Sequence, residues 1–170
     1  MKRIMVIGCS GSGKSTFSRK LHELTQIPIV HLDQKYWKPN WVESTEEEWR
    51  NTISEIVKED QWIMDGNYSG TWDLRIPRAD TIIFIDKPTY VCLYRATKRI
   101  LSYYGKTRPD MTDGCPERFD LQFFHYVLTY NLTRRKSNLK KIENWKKEKQ
   151  IFILRKEKDI IAFFENIKRS

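Results

Sequence analysis

The sequence predicts a three-layer α/β fold, a five-stranded parallel sheet with helices on both faces. Three observations carry that expectation. Five short apolar runs alternate with stretches of helical spacing along the 170 residues. The first run opens directly into a glycine-rich loop that a helix follows. The second, third and fourth runs lead into carboxylates at Asp33, Asp65 and Asp86, and open α/β sheets bind ligands at those strand ends.

The loop is Gly8-Cys9-Ser10-Gly11-Ser12-Gly13-Lys14-Ser15-Thr16, which fits G-x-x-x-x-G-K-[ST]. Glycines let the backbone curl where side chains would block it. Successive N–H groups then point inward and cradle an anion, helped by the positive end of the following helix. Gly8, Ser10, Gly11, Ser12, Gly13, Lys14, Ser15 and Thr16 are therefore the candidate ATP-binding residues. Lys14 can reach the β- and γ-phosphates, and the Ser15 hydroxyl can hold Mg²⁺. Lys2 to Ile7 reads as a buried strand, and Thr16 to Thr25 as a helix with Phe17, Leu21 and Leu24 on one side. Strand, glycine loop and helix together make this a phosphate-binding P-loop, and the expected architecture a P-loop NTPase fold.

Composition suits one soluble domain, with 39% hydrophobic and 31% charged residues. No apolar run approaches the ~20 residues of a membrane span. The first strand starts at residue 2, so no secretory signal is expected and the cytoplasm is the expected location. Cys9, Cys92 and Cys115 lack metal-ligand spacing and are expected as reduced thiols, Cys9 contributing backbone rather than chemistry. The net charge is +9, and it is uneven: residues 1–133 carry 18 Lys+Arg against 17 Asp+Glu, residues 134–170 carry 13 against 5. A basic C-terminal third can meet DNA weakly, or can simply be a solvated helix face.

Taken in order, Ile27 to Leu32 reads as the second strand, ending at Asp33. Gln34 to Trp41 is aromatic and irregular, and Trp37 and Trp41 either line a pocket or cap the core. Ser44 with Glu47 forms a capping box for a helix to about Asp60. Trp62 to Asp65 is the third strand. Gly66 to Gly70 is a loop, and about one helical turn at Trp72 to Arg78 puts Arg75 near the rim. Thr81 to Asp86 is the fourth strand, and Pro88 opens a helix that ends near Gly105. Arg95 and Arg99, four apart, share its face. Lys106 to Cys115 holds Gly, Pro and Asp and cannot be regular structure. A helix restarts at Pro116-Glu117 and runs on through Trp145 with a break near Ser137. Ile151 to Leu154 is the fifth strand and Lys158 to Lys168 an amphipathic closing helix. His22, His31 and His125 have no expected catalytic role.

The P-loop, Asp65-Gly66 after the third strand, Arg95-x-x-x-Arg99 and the loop after it resemble P-loop kinases of the adenylate kinase and shikimate kinase type. That resemblance implies a sheet order 2-3-1-4-5, an Asp65 that helps organise Mg²⁺, and a lid at about 106–116. It also implies that Arg95, Arg99 and Arg108 close on the phosphates. Asp33 is the candidate general base by its strand-end position and by analogy to shikimate kinases. Arg75 is the candidate grip on an anionic or polar part of the acceptor.

A closer resemblance runs along nearly the whole chain, to proteins called DNA topology modulation proteins. It rests on His31-Leu32-Asp33, Trp37-x-Pro39-x-Trp41, Trp62 to Tyr68, Arg75, Ala79 to Asp86, Cys92-Leu93-x-Arg95, Arg108-x-Asp110-Met111 and Gly114 to Arg118. The adenylate kinase pattern is not followed throughout. Asp65-Gly66 is followed by Asn67-Tyr68, not by an aromatic-Pro-Arg segment.

Three functions fit these motifs. One is an ATP-dependent kinase with a small-molecule acceptor. The second is a nucleotide-gated switch that binds DNA through the basic C-terminal third, and the third is a kinase acting on nucleic-acid ends. Lid arginines favour catalysis. The absence of a zinc-finger, helix-turn-helix or RNA-binding signature counts against the switch.

Overall fold

The structure, a computed structural model, describes residues 1–169. β1 (Arg3–Gly8) is buried from Ile4 onward, as the middle strand of a sheet covered on both faces must be. α1 (Lys14–Thr25) follows the P-loop and buries Phe17, Ser18 and Leu21. β2 (Ile29–His31) is short and passes straight into α2 (Leu32–Tyr36). β3 (Trp37–Lys38) and β4 (Val42–Glu43) pair as a small antiparallel hairpin around a tight turn at Pro39–Trp41. Next come α3 (Glu46–Ile56), β5 (Trp62–Asp65), α4 (Trp72–Arg78) and β6 (Thr81–Ile85). α5 (Thr89–Tyr103), α6 (Leu121–Glu143), β7 (Gln150–Leu154) and α7 (Glu157–Arg169) complete the chain.

The main sheet runs β2-β5-β1-β6-β7, and every neighbouring pair in it is parallel. Counting only its own strands, that is the expected order 2-3-1-4-5. Alternate residues of each strand face opposite layers. Met5, Ile7, Met64, Ile82 and Phe84 pack under Trp49, Ile53, Trp72, Ile76 and Ile142 from α3, α4 and α6. Ile4, Val6, Ile63, Ile83 and Ile85 pack against Phe17 and Leu21 of α1 and Phe163 and Phe164 of α7. Each such side chain contributes about 1.5–3 kcal/mol on burial. The parallel register sets His31 beside Asp65 and Val6 beside Asp65, so the carboxyl ends of β2, β5 and β1 open on one side. That is the crevice the rest of the molecule surrounds.

Several local expectations are corrected. The second strand ends at His31, and Leu32 opens a helix, so Asp33 lies in the first turn of α2. Gln34 to Trp41 is therefore helix and hairpin rather than irregular chain. The capping box uses Thr45 and Glu48, whose side chains bond each other's backbone N–H; Ser44 Oγ instead donates to the Tyr36 carbonyl. The helix after the lid starts at Leu121 with Asp120 as its cap, not at Pro116, because Glu117 is engaged at the base of the lid. No break occurs at Ser137; α6 is continuous.

Candidate active site

The P-loop geometry follows from its glycines. Gly11 has φ 78° and Gly13, which caps α1, has φ 98°, conformations that L side chains rarely adopt. A Cβ on Gly11 would run into the Cys92 carbonyl, so glycine lets α5 abut the loop. The Lys14 ammonium donates to the Cys9 carbonyl at 2.9 Å, folded over the loop. Cys9 and Cys92 are buried thiols that hydrogen-bond each other, which together with burial pushes the Cys9 thiol up. Cys9 thus gives its carbonyl, as expected.

Residues Ser10 to Thr16 line a crevice of about 1600 Å³, together with Asp33, Asp65, Arg95, Arg99 and Arg108. A pocket for one drug-sized ligand is about 300–1,000 Å³, so this crevice is larger than one such ligand needs. Gly8 lies just behind, held by Asn67. The Asn67 Oδ1 accepts from Gly8 N at 2.9 Å, and its Nδ2 donates to Gly8 O at 2.7 Å and to the Tyr126 hydroxyl at 2.9 Å. Asn67 therefore joins the loop after β5, the P-loop and α6.

Arg75 does not reach the crevice, and its expected contact with an acceptor is corrected. Its side chain is 0% exposed and points under the Gly66–Tyr68 loop. It donates to Thr71 Oγ1 at 3.2 Å, Gly66 O at 3.2 Å and Tyr68 O at 2.7 Å, and also to Asn67 O. Burial lowers the guanidinium to about 9, so it stays charged at neutral pH. The loop it grips is strained, with Tyr68 at φ 34°. Tyr68 in turn donates its hydroxyl to Asp33 Oδ1 at 2.7 Å. Burial first, then the Asp33 charge, pushes the Tyr68 hydroxyl up, so it remains a donor.

Asp65 is 5% exposed. One oxygen meets His31 Nδ1 at 2.9 Å, while Oδ1 is buried with no hydrogen-bond partner. An unpartnered buried carboxylate oxygen, on a residue that lines the crevice, suits a hard cation such as Mg²⁺. Lys14 does not neutralise it, being bonded to Cys9. His31, given no role from sequence, orients this carboxylate.

The segment 106–116, expected as a lid, is compact and engaged at both ends. Its neck is closed by two main-chain bonds, Gly105 N to Glu117 O and Glu117 N to Lys106 O, each 3.0 Å. Inside, Glu117, 5% exposed, pairs with Arg99 at 3.2 Å and Arg108 at 2.5 Å, and Arg108 pairs with Asp110 at 2.9 Å. Burial and the neighbouring Arg108 hold the Arg99 guanidinium below its ordinary range. Arg95, separate from this network, lies near the P-loop at 3.4 Å from Ser12 O.

The outer side of the lid is tied to residues 34–41. Gln34 Nε2 donates to Pro109 O at 2.7 Å, and Thr112 Oγ1 to Trp37 O at 2.7 Å. Asn40 N donates to Gly114 O at 2.9 Å, and Trp41 Nε1 to Pro116 O at 2.9 Å. The Cys115 thiol donates to Lys38 O at 3.2 Å. Trp37 and Trp41 stack edge to face at 5.3 Å and line the crevice. The sequence reading passed over Asn67, Tyr68, Asp110, Glu117 and Tyr126 as site residues. The available signal was position: Asn67 and Tyr68 follow Asp65-Gly66, and Asp110 and Glu117 share the lid with Arg108.

This strand order, P-loop, and arginine-bearing helix and lid define a P-loop kinase fold. Solved structures agree. The chain superposes on a deoxyadenosine kinase from M. mycoides with products dCMP and a flexible dCDP bound, at TM-score 0.54 and 13% identity, covering 98% of each chain. It superposes on the same enzyme with bound dATP at TM-score 0.51 and 14% identity, covering 100% of each. No protein-family model and no curated protein matches the chain. The likeness to DNA topology modulation proteins therefore rests on the motifs alone.

Proposed function

We propose that this protein is an ATP-dependent kinase that transfers the γ-phosphate to a small-molecule hydroxyl. The observation that carries it is the shared crevice: a P-loop, the Asp33 carboxylate and arginines from α5 and the lid all line it. Phosphoryl transfer needs positioning and charge neutralisation more than covalent chemistry. In the reaction Lys14 leaves the Cys9 carbonyl for the phosphates. Asp33, held by Tyr68, takes the acceptor proton as the acceptor oxygen bonds to the γ-phosphorus and ADP leaves. Arg95, Arg99 and Arg108 offset the charge spread over the transferring oxygens. Ser15 and Asp65 would hold Mg²⁺, which when bound neutralises charge on the β- and γ-phosphates. The fold neighbours' name, deoxyadenosine kinase, makes nucleosides the first acceptors to try.

No observation favours the DNA-binding switch or the nucleic-acid-end kinase. Five of the thirteen basic residues in 134–170 are engaged within the fold: Arg135 and Arg155 on Asp86, Lys149 on Pro77 O, Arg134 over Tyr126 and Lys141 over Trp72. Among the described residues no helix is long and apolar enough to cross a membrane.

Lys14→Ala tests the proposal. With a fluorescent ATP analogue, the variant is expected to bind weakly or to hydrolyse and transfer nothing, while its circular dichroism matches the wild type. Equal affinity and equal turnover in both proteins would overturn the assignment.

A further inference from the structure

We propose that α5 and α6 together form the face through which a second copy of this chain docks, giving a two-fold dimer. That face is separate from the crevice: none of its six large apolar side chains lines it.

Tyr90, Tyr94 and Leu101 of α5 and Leu121, Leu128 and Leu132 of α6 are left between 49% and 78% exposed. Their spacing is regular. On α5 the steps are four and then seven residues, on α6 seven and then four, so each set makes one stripe along its helix. The two helices run antiparallel. Asn131 Nδ2 donates to Thr89 Oγ1 at 2.9 Å, and the Arg99 guanidinium lies over the Phe123 ring at 5.3 Å. Cys92 and Leu93 pack with Val127 and Tyr130 in the seam between them. In that register Tyr90 lies across from Leu132, Tyr94 from Leu128 and Leu101 from Leu121. The turn of each helix carries its stripe to the same outer side, away from the sheet.

A second copy is the occupant that fits this array. Thr97 and His125 fill the gaps in the stripes, so these eight positions hold no Lys, Arg, Asp or Glu in a chain that is 31% charged. Nucleic acids and anionic lipid surfaces are met by lysine and arginine, which the array lacks. Protein interfaces instead gather aromatic side chains and deplete charge at their centre. Two tyrosines and four leucines this exposed offer roughly 800 Å², about what each partner gives to a stable interface. The largest apolar patch of an ordinary monomer is about 300–600 Å². A pair of antiparallel helices is also self-complementary. Turned about a two-fold axis, two such pairs close into a four-helix bundle crossing at about 20°. Each copy then covers the other's stripes, and both crevices stay open. Leu101 and Leu121 stand near the two ends of the 106–116 segment, so the dimer holds both roots of that segment.

The test is mass in solution, read by sedimentation equilibrium over a range of protein concentrations. The wild type is expected to sediment at twice its 20.5 kDa at micromolar concentration. Tyr94→Asp and Leu128→Asp each place two like charges in the two-fold interface, and each is expected to weaken association by about 30-fold or more. Both positions are exposed, so the circular dichroism is expected to keep its wild-type shape. Tyr90→Ser combined with Leu132→Ser removes apolar surface without adding charge and is expected to weaken association as well. Ile161→Asp, at an apolar position of α7 that is 52% exposed, is expected to leave the dimer intact. As concentration rises, hydrogen exchange is expected to slow in 89–103 and 121–133 and to stay constant in α7. A wild type that remains monomeric at high micromolar concentration would overturn the dimer. A dimer that survives both aspartate variants would overturn this face, because its contact would lie elsewhere. A monomer that binds anionic lipid vesicles, and loses that binding in Tyr94→Asp, would overturn it in favour of a membrane.

Discussion

Asp33 takes its meaning from Tyr68, 35 positions away, whose hydroxyl holds it at 2.7 Å. A carboxylate fixed by a neutral donor keeps its direction. Asp33→Asn is expected to leave ATP affinity nearly intact and to cut single-turnover transfer by about 10²–10⁴-fold, toward the low end because the transition state is loose. An unchanged rate would make Asp33 structural; lost ATP affinity would place it at the metal. The carboxylate was legible from its place beyond an apolar run. Its partner was not, because a hydrogen bond between distant segments leaves no local pattern. Arg75 makes the same point from the other side. The sequence offers a cation near the rim, and only the packed loop, with three carbonyls turned inward, reveals that the cation is buried away from the crevice. The turn of the P-loop was legible, since the spacing of its glycines dictates the backbone, with Gly11 and Gly13 at positive φ.

At the scale of elements, strands and helices were readable because burial on both sheet faces leaves continuous apolar runs. Their ends were less so. Thr45 displaced Ser44 as cap because Ser44 was already donating to Tyr36. The lid was readable as a loop from its Gly, Pro and Asp, while its attachment was not. Five hydrogen bonds named above join it to residues 34–41 and make one body of two segments. Upon adding an ATP analogue, hydrogen exchange is expected to slow in 106–116 and in 34–41 together. Thr112→Val, which removes the bond to Trp37 O, is expected to speed exchange in both by about 5-fold, the worth of one hydrogen bond of about 1 kcal/mol. Protection of the lid alone, with 34–41 unmoved, would separate the two segments.

Over the whole molecule, charge is spent on joining layers. Asp86, at the end of β6, receives Arg135 from α6 at 2.6 Å and Arg155 from beyond β7 at 3.1 Å. Burial raises its pKa, but the two arginines outweigh burial and hold it below the usual range. A carboxyl lowered on folding contributes stability above its unfolded pKa of about 3.9 and loses it as pH falls through the folded value. Asp86→Asn is expected to cost about 2 kcal/mol at pH 7, a drop of about 4–8 °C in Tm. The gap from wild type should close as pH falls below about 4; a gap constant from pH 7 to pH 2 would refute the ion-pair role. The lid's attachment to the acceptor side has a thermodynamic consequence as well. If binding at the phosphates shifts one body that also forms the wall bearing Trp37 and Trp41, the two ligands share a coupling free energy. Thermodynamic linkage makes that coupling reciprocal, so the factor by which nucleotide tightens the acceptor must equal the factor by which acceptor tightens the nucleotide.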